Sequence, residues 1–193
     1  MKVGLFGGTF DPPHVAHLAA AERVRDELAL DEVWFVVAGQ PPHKMRDAVS
    51  PAHHRLRMVE LAVADHPAFR VCDIELRRPG PSYTVDTVRA LRRQHPDAEF
   101  YFIVGADMAA DLPNWRAIDE LKTLVRFVAL GRPGYARPVL PGIPLHWVDM
   151  PLLALSATEL RRWIRAGRSV RYLVPEAVRQ YMEAHEVYGK RKR

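Results

Sequence analysis

Six short runs of strand-forming residues alternate with stretches of helical periodicity along this chain. The runs are Lys2–Phe6, Val33–Val37, Arg70–Leu76, Glu99–Val104, Arg126–Leu130 and Leu145–Val148. They are rich in Val, Ile, Phe and Trp, and several are almost continuously apolar, the pattern of parallel strands covered on both faces. Between them, Val15–Leu28 places Leu18, Ala21, Val24 and Leu28 near one face. Pro51–Asp65 does so with Leu56, Val59 and Val63, and Thr84–Gln94 with Val85, Val88 and Leu91. Alternating β and α elements close into a parallel sheet through right-handed crossovers. The expected fold is α/β: a doubly wound, Rossmann-like parallel sheet. Ser156–Ala166 and Pro175–Ala184, separated by Gly167, add a short C-terminal helical extension.

One core suffices for 193 residues. Residues 1–188 are expected to form a single domain, and 189–193 a basic, frayed tail. With 48% hydrophobic and 26% charged residues, the chain is not expected to be disordered. Its apolar runs, such as Trp34 to Ala38, fall far short of the roughly 20 residues of a membrane helix. The N-terminus shows no signal-peptide core, so the expected location is cytoplasmic, with no membrane partner. The single cysteine, Cys72, excludes an internal disulfide and a multi-cysteine zinc site, and reads as a small core residue. The net charge of +5 includes +4 from Lys190–Arg193, leaving the body almost neutral. A modest positive excess favours anionic partners such as nucleotides or nucleic acid, but a four-residue basic tail is usually just solvated, so no specific nucleic-acid partner is expected.

Three segments interrupt the alternation: Gln40–Ser50, Arg78–Tyr83 and Arg132–Pro144. The first two follow strands directly, where α/β folds bind ligands. The first strand itself runs into Gly7-Gly8-Thr9-Phe10-Asp11-Pro12-Pro13-His14-Val15-Ala16-His17. Gly7 and Gly8 allow a sharp turn and close approach of a ligand. Asp11 is a good N-cap, and Pro12 suits a first helical turn. A helix N-terminus there would offer free N–H groups and a positive dipole end to an anion. His14 and His17, three apart, share a face of that turn and could donate to phosphate oxygens. The string is neither a Walker A loop nor a dinucleotide fingerprint. Two histidines with no third ligand nearby make zinc a poor fit, so no metal ligands are expected in the protein.

Gly8-Thr9-Phe10-Asp11-Pro12-Pro13-His14-x-x-His17 resembles the signature of the nucleotidyltransferase superfamily with the His-x-Gly-His motif, and most closely that of bacterial nicotinate-nucleotide adenylyltransferases. Pro41-Pro42-His43-Lys44, Ser82-Tyr83-Thr84-x-Asp86-Thr87, Gly105-Ala106-Asp107, Asn114-Trp115 and Ser156-Ala157-Thr158-x-x-Arg161 continue the resemblance in order along nearly the whole chain. Ala16 stands where the family usually has glycine. The resemblance implies transfer of an adenylyl group from ATP to nicotinate mononucleotide, yielding deamido-NAD and pyrophosphate in NAD biosynthesis. It implies Mg²⁺ bound with the ATP. His14, His17 and Lys44 would be catalytic. Gly7, Gly8, Thr9, Phe10, Ser156, Thr158 and Arg161 would hold ATP and its phosphates. Trp115 would stack on the pyridine, Tyr83 and Thr84 would receive its carboxylate, and Asp107 would grip a ribose.

Each of these residues also has a structural reading. Ser156-x-x-Glu159 is a capping box in any helix, Asp107 is a plausible N-cap, and Lys44 sits in a polar loop. The remaining histidines, His53, His54, His66, His95, His146 and His185, form no ligand-like cluster and read as surface or partly buried side chains. Two rivals stay open: a transferase of the same superfamily acting on another acceptor such as phosphopantetheine, and a nucleotide- or RNA-binding module without catalysis. A homo-oligomer is compatible with the sequence.

Overall fold

The computed structural model describes residues 1–40, 49–131, 134, 136–151 and 153–189. Six strands form one sheet: β1 Lys2–Gly8, β2 Glu32–Val37, β3 Phe69–Cys72, β4 Glu99–Gly105, β5 Arg126–Gly131 and β6 Leu145–Asp149. The order is β3-β2-β1-β4-β5-β6, and every pairing is parallel. The chain order reverses between β1 and β4, which opens a crevice at their carboxyl ends.

Alternation along the strands builds two cores. Phe6, Phe35, Ile103 and Val128 face α1 (Val15–Glu27), α2 (Ala52–Val63), α6 (Ala157–Arg165) and α7 (Glu176–Ala184). Leu5, Val36, Phe102 and Phe127 face α3 (Thr84–Gln94) and α5 (Ile118–Leu124) on the other side. Both faces are covered, which is why strands such as β2 read as unbroken apolar runs. The doubly wound expectation therefore matches the structure.

Several local expectations need correction. The third strand ends at Cys72, and residues 74–77 form turns in place of the expected continuation to Leu76. There the chain leaves the sheet to bring Glu75 under Thr87, whose hydroxyl donates to its carboxylate at 2.8 Å. Cys72 is half-buried against the second core, and burial raises its thiol pKa. A short helix α4 (Ala106–Asp111), a 3₁₀ turn (Leu112–Asn114) and α5 were not anticipated. They are short, and α5 begins after Ala117 in a left-handed conformation that no glycine advertises. The expected tail beyond residue 189 lies outside the described residues.

Candidate active site

The Gly7–His17 segment lies at the crevice between β1 and β4. The strand persists through Gly8, so the sharp turn comes later than expected. Gly7 is exposed at the strand end, where a ligand can approach. Gly8 is required for a different reason: an added Cβ would lie 2.8 Å from Cζ of Phe10. Phe10 takes a positive φ of 50° and buries its ring against Phe6, Phe35 and His17.

Helix α1 starts at Val15 with His14 as its N-cap residue, which corrects the expectation that Asp11 caps it. Asp11 is unavailable because its carboxylate is used elsewhere. One oxygen accepts from the Tyr188 hydroxyl at 2.6 Å and the other from the Ser50 N–H at 3.0 Å. The picture of a helix end with all its N–H groups free also changes. Val15 N–H donates to the Leu173 carbonyl at 3.0 Å, and His17 N–H to the His14 carbonyl at 2.9 Å.

The two histidines are brought together as a stacked pair, with ring centroids 3.6 Å apart and planes inclined by 22°. His14 N–H donates to Nδ1 of His17 at 3.2 Å, which orients the His17 ring and leaves its Nε2 as the N–H-bearing nitrogen of the neutral form. His17 is half-buried, whereas His14 is only 4% exposed. Desolvation lowers the His14 pKa from 6.5 to about 4, so its ring is neutral at pH 7. Its Nδ1 is buried without a hydrogen-bond partner among the described residues.

On the same face of the sheet as α1, Ser156 caps α6 by accepting from the Glu159 N–H at 3.2 Å. Only half of the expected box forms, since the Glu159 carboxylate turns to Arg162. Thr158 is exposed, and its Oγ1 receives one Arg161 N–H at 3.3 Å. Another Arg161 N–H donates to the Asp11 carbonyl at 2.8 Å, so α6 is tied to the β1–α1 loop. Two of the five guanidinium N–H donors are thus committed. Lys44, with the rest of the Pro41-Pro42-His43 stretch, lies outside the described residues.

Of the residues expected on the pyridine side, Tyr83 and Trp115 both pack against the second core. Tyr83 is the N-cap residue of α3, and the Arg116 guanidinium sits 4.5 Å from the centre of its ring. That contact places the segment carrying Trp115 beside the start of α3. Trp115 is half-buried, edge-on to Phe102 at 5.7 Å. The first-turn amides of Thr84 and Val85 have no intrahelical acceptor by helix geometry. Asp107 is exposed in the first turn of α4, after Gly105 at the end of β4.

Three contributors escaped the sequence reading. Arg55 is buried beneath the loop, and Tyr188 reaches it from the other end of the chain. Gly39 is the third: a Cβ there would lie 2.7 Å from the Glu75 carbonyl oxygen and 2.8 Å from Ser82 Oγ. Of these, Arg55 left a signal, a cation spaced with Met58, Val59 and Ala62 on an apolar face. His54 packs against His53, His185 and Tyr181, and the Tyr181 hydroxyl oxygen lies 2.9 Å from its Nδ1. Among the described residues, no group of three His, Cys, Asp or Glu side chains is placed to hold a metal ion. No helix among them is long and apolar enough to cross a membrane.

Residues 5–163 match the cytidylyltransferase-like family. A protein of Geobacillus thermodenitrificans named "probable nicotinate-nucleotide adenylyltransferase" is 51% identical over 190 residues, spanning 98% of this chain and 87% of its own length. One of the same name from Salinibacter ruber is 48% identical over 191 residues, spanning 97% and 98%. The fold is similar to that of the Plasmodium falciparum nicotinic acid mononucleotide adenylyltransferase solved with NaAD. There the TM-score is 0.81 at 19% identity, covering 97% of each chain. Full-length identity of this order, together with the paired histidines at the sheet's switch point, makes this chain a member of the nicotinate-nucleotide adenylyltransferase family.

Proposed function

We propose that this enzyme joins ATP and nicotinate mononucleotide to form deamido-NAD and pyrophosphate, serving NAD biosynthesis in the cytoplasm. The observation that carries the reading is the stacked His14–His17 pair at the carboxyl edge of β1, with Arg161 bonded to the Asp11 carbonyl of the same loop. The mononucleotide phosphate is already an anion and attacks the α-phosphorus of ATP in line, so no covalent enzyme intermediate is needed. Catalysis is then positioning and stabilisation of charge on the phosphoryl oxygens. His17 supplies a donor to those oxygens, and buried, neutral His14 fixes the His17 ring through its backbone N–H. Thr158 and Arg161 hold the phosphates and the departing pyrophosphate, and the family resemblance adds Lys44. Ala16, in place of the usual glycine, adds a methyl group to the turn between the histidines.

The donor set described here consists of imidazole, guanidinium, hydroxyl and amide groups. These suit phosphate oxygens, and Mg²⁺ is best accommodated as part of the ATP, with substrate and water ligands. On the acceptor side, Trp115 stacks on the pyridine, the Tyr83–Thr84 helix start receives its carboxylate and Asp107 takes the ribose. A carboxylate accepts at both oxygens, whereas a carboxamide turns an NH₂ group toward donors and leaves them unpaired, at a cost of about 1–3 kcal/mol. Competing nicotinate and nicotinamide mononucleotides in one reaction with ATP tests this, with preference for the acid as the expected result. Comparable use of the amide overturns the acid selectivity. Pyrophosphate release only with phosphopantetheine, or with no acceptor, overturns the assignment.

A further inference from the structure

Arg55 stands in the first turn of α2, at the head of a stripe otherwise made of Met58, Val59, Ala62 and Val63. A cation at that end of a helix opposes the dipole, and a charged residue on a buried face opposes the hydrophobic pattern. It is 2% exposed and makes no ion pair within 4 Å among the described residues. Burial lowers its pKa, and the charge of Asp11 works in the opposite direction. Its donors are spent on backbone carbonyls. Nη1 reaches Thr9 O at 3.1 Å and Ala38 O at 2.7 Å, Nε reaches Ser50 O at 3.0 Å, and Nη2 lies 3.5 Å from Gly39 O.

These carbonyls belong to three separate pieces of chain at the carboxyl edge of the sheet. Thr9 lies between β1 and the histidine pair, Ala38–Gly39 follow β2, and Ser50 precedes α2. The Ser50 residue is gripped twice, since its N–H donates to the Asp11 carboxylate while its carbonyl accepts from Arg55. The β1–α1 loop is therefore bolted from below by Arg55 and from the side by Asp11, with Tyr188 and Arg161 completing the frame.

We propose that Arg55 is a positioning residue for adenylyl transfer, fixing the backbone that precedes His14 and His17 through the Thr9, Ala38 and Ser50 carbonyls. A planar fork can serve three diverging acceptors at once; an ammonium of the same charge cannot hold that geometry. The role rests on the proposed reaction only through the assay, so wild-type turnover with ATP and nicotinate mononucleotide is measured first. Wild-type inactivity with that acceptor refutes the proposed reaction alone. The comparison of variants then uses whichever acceptor releases pyrophosphate.

The test pairs Arg55→Lys with Val59→Ala, a core substitution on the same helix, both assayed well below their melting temperatures. Misplacement of reacting groups by about 1 Å costs on the order of 10²-fold, so kcat of Arg55→Lys is expected to fall about 10- to 100-fold. Its KM for ATP is expected to change less than about threefold, since binding contacts common to ground and transition states persist. Val59→Ala keeps its kcat while losing thermal stability. Arg55→Gln takes the place of the lysine variant if the latter does not fold, with methylguanidinium added to restore kcat. Full kcat in a folded Arg55 variant overturns the proposal. So does a kcat loss that Val59→Ala shares at equal destabilisation, or failure of both Arg55 variants to fold while Val59→Ala folds, which would mark a purely structural residue.

Discussion

Tyr188 donates its hydroxyl to the Asp11 carboxylate at 2.6 Å, linking two buried residues 177 positions apart. Burial, reinforced by the carboxylate, pushes the Tyr188 phenol well above its ordinary pKa. The contact fastens the end of the chain beneath the loop that carries the histidine pair. Removing the hydroxyl in Tyr188→Phe leaves a buried carboxylate short of one donor. The expected loss is about 1–3 kcal/mol, seen as a lower urea midpoint at unchanged slope. A midpoint equal to wild type would show that the bond contributes nothing net.

His14 makes stability depend on pH. Its pKa falls from 6.5 to about 4 on folding because the ring is desolvated. Between those values the unfolded chain binds more protons than the folded one, so stability rises with pH. The contribution is complete above about pH 6.5, is lost as pH falls, and changes no further below about 4. The shift corresponds to about 3 kcal/mol across the window. Urea unfolding of wild type and His14→Asn at pH 7.5 and 4.5 isolates this share, and the variant is expected to show a smaller drop. Equal drops in both proteins would rule out a depressed His14 pKa.

His17 is half-buried, with its Nδ1 accepting from the His14 backbone. If His17 donates to transition-state charge as proposed, replacing it by alanine is expected to cost on the order of 10²–10³ in kcat. The fold is expected to persist, as judged by circular dichroism. Near wild-type turnover in a folded His17→Ala protein would remove His17 from the reaction.

Trp115 rests edge-on against Phe102 beside the start of α3. Stacking of a base on an aromatic ring is worth about 1–3 kcal/mol, a scale borrowed from nucleic-acid binding. Trp115→Ala is expected to raise KM for nicotinate mononucleotide far more than KM for ATP. Steady-state kinetics with each substrate varied in turn provides the check, and equal effects on both would contradict a pyridine-side role.

Strand and helix patterning made the architecture legible before the structure. Period-2 alternation and unbroken apolar runs are local properties, and six parallel strands with helices on both faces satisfy them. The Gly7–His17 string was legible for the same reason, since its turn residues and histidines are contiguous. Elements without such patterning were missed: α4, the 3₁₀ turn and α5 are too short to show a period.

What the sequence determined by itself was the order of the six strands and the five longer helices, and the residue types at the ends of β1, β2 and β4, because backbone propensity and hydrophobic period act over a few neighbours. The tertiary structure decided how those ends are held. Asp11 reads locally as a helix cap, yet it is drawn away by Ser50 and Tyr188, groups that arrive from 39 and 177 positions distant. Arg55 reads locally as a misplaced charge, and becomes intelligible once three chain segments converge on its guanidinium. His14 reads as a donor to phosphate, and its burial and neutral ring are not legible locally, because solvation depends on what packs over it. Burial and long-range hydrogen bonding depend on which segments meet, and that is set only when the whole chain closes around its two cores.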